Sequence, residues 1–194
     1  MSVRHTVRES VLTRETTWTV EGDRLRASTD RGTQDWPLSQ VREVRLLFDP
    51  TRAAGNRQLC QLTLPGRRRL RILNLSYRGL GDFADHTPTF AALVEALLAG
   101  LARHNPACVC RIGKRPVVLA LELGFLALAM LFLAMILVLV DPTMLALLLA
   151  AAGLAATALP AVQRYVRANW PRRFDAARPP AGLPGFPGDG QASG

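Results

Sequence analysis

Two long apolar runs stand out near the C-terminal end of the chain, at residues 117–140 and 143–162. Only Asp141-Pro142 separates them; the first run holds one ionisable side chain, Glu122, and the second holds none. A bilayer core about 30 Å thick needs roughly 20 apolar residues of helix, so each run is long enough to cross it. The pattern predicts a transmembrane hairpin of two helices. Burial of this hairpin inside a soluble domain is the alternative, but 194 residues are too few to cover both helices on all sides.

The region before these runs has the two-residue period of β-strands. Between residues 15 and 74, short runs rich in Val, Leu, Thr and Trp alternate with turns such as Glu21-Gly22-Asp23 and Pro65-Gly66. Such a pattern is typical of antiparallel strands joined by hairpins. It predicts six or seven short strands, with a first hairpin at residues 18–28 and a middle strand at residues 43–48.

One later segment has the period of an α-helix. Phe90 begins a stripe of apolar residues spaced three and four positions apart, and the stripe ends at Leu101. Thr87 is placed to cap the N-terminus of this helix, and Asn105-Pro106 to end it. Strands followed by one amphipathic helix predict an α+β fold, in which the helix caps a small antiparallel sheet or barrel.

Three segments come in the order of a known family. They are the first hairpin at residues 18–28, the closing helix at residues 90–101, and the segment between them that reads Trp36-Pro37-Leu38-Ser39-Gln40-Val41-Arg42-Glu43-Val44-Arg45-Leu46. Together they resemble a bacterial pleckstrin-homology-like (PH-like) domain over residues 15–104. The resemblance implies a bent, seven-stranded sheet or barrel with a C-terminal helix, which in bacteria is often joined to membrane helices.

Eukaryotic members of this family hold a phosphoinositide head group with basic residues around the first hairpin turn. In this chain the turn of the predicted first hairpin is Glu21-Gly22-Asp23, and its carboxylates would repel phosphate. This departure argues against head-group binding, and no cofactor is expected.

The predicted organisation has six parts. Residues 1–14 form an N-terminal segment, 15–105 the PH-like cytoplasmic domain, 106–116 a juxtamembrane linker, 117–140 and 143–162 the transmembrane helices, and 163–194 a basic and then Pro/Gly-rich tail. The tail is expected to be disordered because its composition buries too little apolar surface.

Basic residues flank the predicted hairpin at its outer ends. Arg111, Lys114 and Arg115 come before it and four arginines follow it, whereas the connecting turn carries only Asp141. Since basic residues are retained on the cytoplasmic side, both termini are expected in the cytoplasm of a multi-pass protein of the bacterial inner membrane. The reduced state expected of Cys60, Cys108 and Cys110 agrees with that compartment.

The formal net charge is +9, and the pI is about 11.0. Lys114 is the only lysine among 24 basic residues, an imbalance that a high-GC coding bias explains more simply than phosphate recognition. Nucleic acid is not an expected partner, because no basic stripe is interleaved with aromatic residues. A positive face would instead be attracted to the anionic inner leaflet.

One basic cluster is a candidate contact with the membrane surface or a partner. Arg67 and Arg68 follow the Pro65-Gly66 turn, and Arg69 and Arg71 are predicted on the solvent face of the next strand. The alternative, which we weight more heavily, is a solvated hairpin tip whose charges prevent edge-to-edge pairing.

The apolar runs carry two further candidates. Glu122 is an intramembrane carboxylate. It is interpreted as an interfacial ion pair near Lys114 and Arg115 or a residue that snorkels to the interface, or alternatively as a contact to a partner helix or a proton site. In the second run a stripe of small residues predicts packing on the first helix, with self-association as the alternative. The stripe consists of Ala146, Ala150, Gly153 and Thr157.

Metal binding and catalysis receive little support from motifs. His104, Cys108 and Cys110 lack the paired spacing of zinc sites, so no metal is expected. The histidines at positions 5, 86 and 104 are interpreted as surface loop residues, and no catalytic motif is present.

The sequence therefore predicts a non-enzymatic, membrane-anchored binding or scaffold module for a protein partner or the membrane surface. The alternative is a small integral subunit of a transport or envelope-assembly complex.

Overall fold

The computed structural model describes residues 3–49, 56–140, 153, 159–160 and 162–179. Its fold is α+β with largely antiparallel sheets, as the sequence predicts. Two compact units are present. The sheet domain comprises Met1–Gly113 and Arg172–Gly194, and the apolar unit comprises Lys114–Pro171.

The first sheet is a four-stranded antiparallel meander. Its strands are β1 (Val3–Arg8), β2 (Glu15–Glu21), β3 (Arg24–Thr29) and β4 (Gly32–Pro37), each paired with the next. In β3 the buried Leu25 and Ala27 alternate with arginines, which is the period that favours a strand with one covered face. The turn from β2 to β3 uses Gly22 at φ +59°, a backbone conformation that other residues rarely adopt.

The second sheet is built on two further hairpin connections. Its first strands are β5 (Glu43–Phe48), β6 (Gln58–Thr63) and β7 (Arg69–Leu73), antiparallel in that order. The predicted strand at residues 43–48 is confirmed. A separate hairpin follows, formed by β8 (Leu75–Gly79) and β9 (Asp82–Asp85).

Helix α1 (Thr87–His104) carries the predicted apolar stripe and covers the sheet domain core. It packs against β1, β2 and the short 3-10 helix Leu38–Gln40. The approach is close, because a Cβ atom at Gly100 would lie 2.7 Å from Leu38 Cδ1. The buried residues of the stripe are Phe90, Leu93, Val94, Leu97, Leu98 and Leu101.

The helix does not begin as predicted. His86, not Thr87, occupies the N-cap position, and its side chain makes no capping hydrogen bond. The carboxylate of Asp85 instead accepts a hydrogen bond from Thr87 N at 2.8 Å. An acidic side chain one residue earlier therefore satisfies a backbone donor of the first turn.

Two short strands complete the second sheet after α1. Strand β10 (Val109–Ile112) lies parallel to β5, and β11 (Arg172–Phe174) pairs with β10 in antiparallel fashion, giving the order β11-β10-β5-β6-β7. Ile112 is the register partner of Arg172. The chain thus leaves this sheet at β10 and returns to the neighbouring position.

These strands correct the predicted domain limits at three places. Residues 1–14 contain β1, residues 106–116 contain β10, and residues 163–194 contain β11. In β1 a buried histidine, His5, takes the core position between Val3 and Val7 and so interrupts the apolar alternation. Strand β11 is an edge strand with two arginines, and its sequence gives almost no strand signal.

The position of β1 also corrects the predicted first hairpin. The first hairpin of the domain joins β1 to β2 through residues 9–14, and the acidic turn Glu21-Gly22-Asp23 belongs to the next hairpin. The argument against phosphate binding therefore applied to the second turn of the sheet.

The apolar unit begins with a long helix, α2 (Pro116–Val140). Residues Pro116–Leu133 have a mean hydropathy of 2.4 and are 6% buried, and among the described residues α2 is the one helix long and apolar enough to cross a membrane. Residues 162–169 are also helical. Most of the second predicted transmembrane helix, residues 143–162, lies outside the described residues.

Candidate functional site

A polar cluster lies at the start of α2, within the apolar unit. Lys114 Nζ is 2.6 Å from Glu122 Oε1, and the Tyr165 hydroxyl donates a hydrogen bond to Glu122 Oε2 at 2.5 Å. The ammonium group of Lys114 also lies 5.3 Å from the centroid of the Tyr165 ring, within the range of a cation–π contact. Both carboxylate oxygens of Glu122 therefore have a partner. We call these three residues the polar clamp.

Backbone contacts support the polar clamp. Lys114 N donates to the carbonyl of Asn169 at 3.1 Å, and Asn169 Nδ2 donates to the carbonyl of Tyr165 at 3.2 Å. The first bond connects the entry to α2 with the helical segment 162–169, and the second lies within that segment. The charge of Glu122 is compensated by Lys114, one of the two cations that the ion-pair interpretation of the sequence names. The hydrogen bond from the Tyr165 hydroxyl was not predicted.

The small-residue stripe cannot be located as a surface. Ala146, Ala150 and Thr157 lie outside the described residues. Gly153 is helical and exposed, and no atom of the described residues outside its own helix backbone lies within 4 Å of the position that its Cβ would take. Helix packing through this stripe stays a prediction.

The basic cluster is divided between a turn and a strand. Arg67 lies in a 3-10 turn with φ +62°, and Arg68 follows it. Arg69 and Arg71 are exposed on β7, whereas Ile72 is buried, so the predicted alternation is confirmed. Of the four arginines, Arg71 is placed beside another surface feature, described next.

Three apolar side chains protrude from two neighbouring turns of the sheet domain. Val11 and Leu12, in the β1–β2 turn, are 58% and 95% exposed, and Leu80, in the β8–β9 turn, is 100% exposed. We call these three residues the apolar tip. The sequence analysis missed it; the signal was present as bulky aliphatic residues inside two turns, positions where polar residues and glycine are usual.

A pocket of about 430 Å³ is lined in part by the residues of the apolar tip. Tyr77 and Phe83 meet in its wall edge to face, with ring centroids 5.8 Å apart. Glu9 also lines the pocket, and desolvation raises its pKa, while the guanidinium groups of Arg71 and Arg57 act in the opposite direction. The site combines an apolar wall and tip with guanidinium groups at its side.

His5 is fully buried and is not a surface loop residue as predicted. Its Nε2 donates to the carbonyl of Leu73 at 2.7 Å, and its Nδ1 lies 2.9 Å from Thr89 Oγ1. Burial lowers the pKa of His5, the hydrogen bond to Leu73 opposes this, and neighbouring His86 lowers it further. These contacts connect β1, β7 and α1, so the role of His5 is structural.

The three cysteines are free thiols in the sheet domain. Cys60 is buried, and this burial raises its pKa to about 12, so it is unreactive at neutral pH. Cys110 is also buried, whereas Cys108 is partly exposed. Within the described ranges, no group of three or more His, Cys, Asp or Glu side chains is arranged to hold a metal ion.

No protein-family model, curated protein or solved structure matches this chain.

Proposed function

We propose that this chain is a non-enzymatic binding module anchored in the bacterial inner membrane, in which a PH-like sheet domain is held next to the bilayer by a helical hairpin. The carrying observation is the pairing of β10 with β11. Strand β10 comes directly before the apolar unit in the chain and β11 directly after it. The apolar unit therefore starts and ends at the same edge of the sheet.

This pairing bears directly on the number of membrane crossings. A folded sheet cannot be divided by a bilayer, so β10 and β11 lie on the same side of it. If α2 crosses the membrane once, the chain must cross again before it reaches Arg172. The second apolar run, residues 143–162, supplies the roughly 20 residues that a second crossing needs. The flanking basic residues support a cytoplasmic location for both ends.

The PH-like assignment is supported by the order of elements. A four-stranded meander and an antiparallel three-stranded group come before the covering helix, like the seven strands and helix that the resemblance implies, although the β8–β9 hairpin is additional and β1 lies before residue 15. In this proposal the anchor acts by raising the local concentration of the sheet domain near membrane targets.

The alternative is an integral subunit of a transport or envelope-assembly complex. Its support is the exposure of α2, whose hydrophobic side chains such as Phe125 and Leu131 are 75% and 67% exposed and so are accessible to a partner helix. The polar clamp counts against a catalytic or partner role for Glu122, because both carboxylate oxygens are already paired within the unit.

Alkaline extraction and cysteine labelling test the proposal. The full chain carrying Cys108→Ser receives either Asp141→Cys in the connecting turn or Ser39→Cys in the sheet domain. We expect the protein to resist alkaline extraction, and an impermeant maleimide added to intact spheroplasts to label position 141 and not position 39. Labelling of both positions only after lysis would contradict the hairpin, and capture of stoichiometric partners that depends on α2 would favour the complex subunit.

A further inference from the structure

We propose that the apolar tip, Val11, Leu12 and Leu80, inserts into the interfacial region of an anionic lipid bilayer, with Arg57 and Arg71 next to the lipid phosphates. The inference rests on the proposed membrane anchoring and deepens it, because it names the lipid surface itself as a ligand of the sheet domain.

The first support is that the exposed side chains are held in place. The Arg8 guanidinium donates hydrogen bonds to the carbonyls of Ser10, Thr13 and Val11 at 3.2, 3.0 and 2.8 Å. Thr13 N and Oγ1 both bond within the same turn. A turn with this many internal hydrogen bonds has little freedom to fold Leu12 back onto the domain, so its exposure is built into the fold.

The two turns of the tip are also fixed to each other. Arg8 N donates to Ser76 Oγ at 3.0 Å, which connects the end of β1 to β8. Residues of both turns line the same pocket, so the two turns are no further apart than the width of that pocket. Leu80 precedes Gly81, whose φ of +77° makes the tight turn that projects it. The three apolar side chains thus form one surface.

The positive charges near the apolar tip favour an anionic partner. Arg57 and Arg71 act on Glu9 at the edge of the pocket, and Arg78 is exposed on β8 close to Leu80. Aliphatic side chains with guanidinium groups near the same pocket match a bilayer interface, where acyl chains lie below anionic phosphates. An acidic or apolar protein surface offers only part of this combination.

The location of the tip within the sheet domain agrees with a bilayer ligand. Strand β10 runs parallel to β5, and Ile112 lies opposite Leu46, two residues before β5 ends at Phe48. Strand β6 begins opposite that end, directly after Arg57 of the pocket. The chain therefore leaves the sheet domain after β10, and re-enters it at Arg172, at the same end of the second sheet as Arg57, which lines the pocket.

Environment-sensitive fluorophores on the full chain test the proposal. In a Cys108→Ser background, Leu12→Cys or Leu80→Cys is labelled with NBD, and Ser39→Cys, exposed at the opposite strand ends, is the matched control. Each protein is reconstituted into vesicles of phosphatidylcholine alone or mixed with phosphatidylglycerol. We expect a blue shift and bromolipid quenching at positions 12 and 80 in the anionic vesicles, and neither at position 39.

An Arg57→Gln/Arg71→Gln variant tests the charge contribution, and we expect it to remove most of the difference between anionic and neutral vesicles. Labels at positions 12 and 80 that stay in water in anionic vesicles overturn the proposal. So does a blue shift without bromolipid quenching that grows with the protein-to-lipid ratio, which would show contact between copies of the chain. Failure of the proposed membrane anchor is distinguishable from failure of the tip proposal. If the anchor is wrong, alkaline extraction releases the chain from the membrane before any label is measured.

Discussion

His5 Nε2 donates a hydrogen bond to the carbonyl oxygen of Leu73 over 2.7 Å, joining the first strand to the end of β7. Because a carbonyl can only accept, Nε2 carries the proton in the folded domain. In the neutral ring Nδ1 is then an acceptor 2.9 Å from Thr89 Oγ1, whose single hydroxyl proton is also within reach of the His86 carbonyl at 3.0 Å.

The buried imidazole predicts a pH-dependent stability. The folded-state pKa of His5 lies below its ordinary value of 6.5, so the unfolded chain binds the proton more tightly. Stability from this group is fully present above pH 6.5, falls as the pH decreases below that value, and stops falling once the pH is below the folded pKa. The unfolding free energy of the full chain in detergent, measured by chemical denaturation at about four pH values between roughly 4.5 and 8, tests this dependence.

Variants separate His5 from other titrating groups. We expect His5→Gln to lose the part of the pH dependence below 6.5, whereas His104→Gln, at the exposed end of α1, keeps it. His86 faces the His5 ring with centroids 6.4 Å apart, so His86→Gln should reduce the effect without abolishing it. An unchanged profile in His5→Gln would assign the pH dependence elsewhere.

Asn74 is predicted to be one of the most sensitive positions of the sheet domain. It is fully buried; its Oδ1 accepts from Gln58 N at 2.7 Å, and its Nδ2 donates to Asn56 O and Thr87 Oγ1 at 2.8 and 2.9 Å. Asn74→Leu keeps the volume but leaves these groups unpaired, which should cost about 3 kcal/mol of unfolding free energy. The exposed Gln40→Leu is the control, and an equally small loss in both would refute the prediction.

The polar clamp predicts energetic coupling within the apolar unit. Tyr165→Phe and Glu122→Gln each remove part of the same hydrogen-bonded group, so the double variant should lose about 1 kcal/mol less than the sum of the single variants. Thermal unfolding in detergent micelles gives the three values. The pair Tyr165→Phe and Ser39→Ala, whose members belong to different units, should be additive. Additivity in the clamp pair as well would show that its contacts contribute nothing.

Strand β11 predicts that part of the C-terminal segment stabilises the sheet domain. Phe174 is half-buried against the core, so Phe174→Ala should lower the unfolding free energy by about 2 kcal/mol. Arg173→Ala, exposed in the same strand, should change it by less than about 0.5 kcal/mol. A disordered segment would make the two variants indistinguishable.

Elements with a regular apolar period were predictable from the sequence. The stripe from Phe90 to Leu101 and the strand at residues 43–48 lie where the pattern places them, because burial of one face imposes that period. Strands β10 and β11 could not be predicted from the sequence, because a strand of three or four residues is too short to show a measurable period. Their position depends on partners far away in the chain, as the pairing of Ile112 with Arg172 illustrates.

The candidate site was predictable only in part. Glu122 was found because a carboxylate in an apolar run is conspicuous, but Tyr165 lies 43 positions later and meets it only through the fold. The apolar tip depends likewise on two turns, around Leu12 and Leu80, that are distant in sequence and adjacent in space. Exposure of a leucine is a property of the folded surface, which the sequence pattern does not report.

The order of β11 in the chain has a consequence for biosynthesis. The sheet domain lacks its last strand until residues 172–174 have left the ribosome, and these residues are translated only after both apolar runs. Until then β10 presents an open edge with unpaired backbone groups. Completion of the domain is thereby delayed until the membrane segment has been synthesised, so a chain truncated before Arg172 would expose that edge to proteolysis and aggregation.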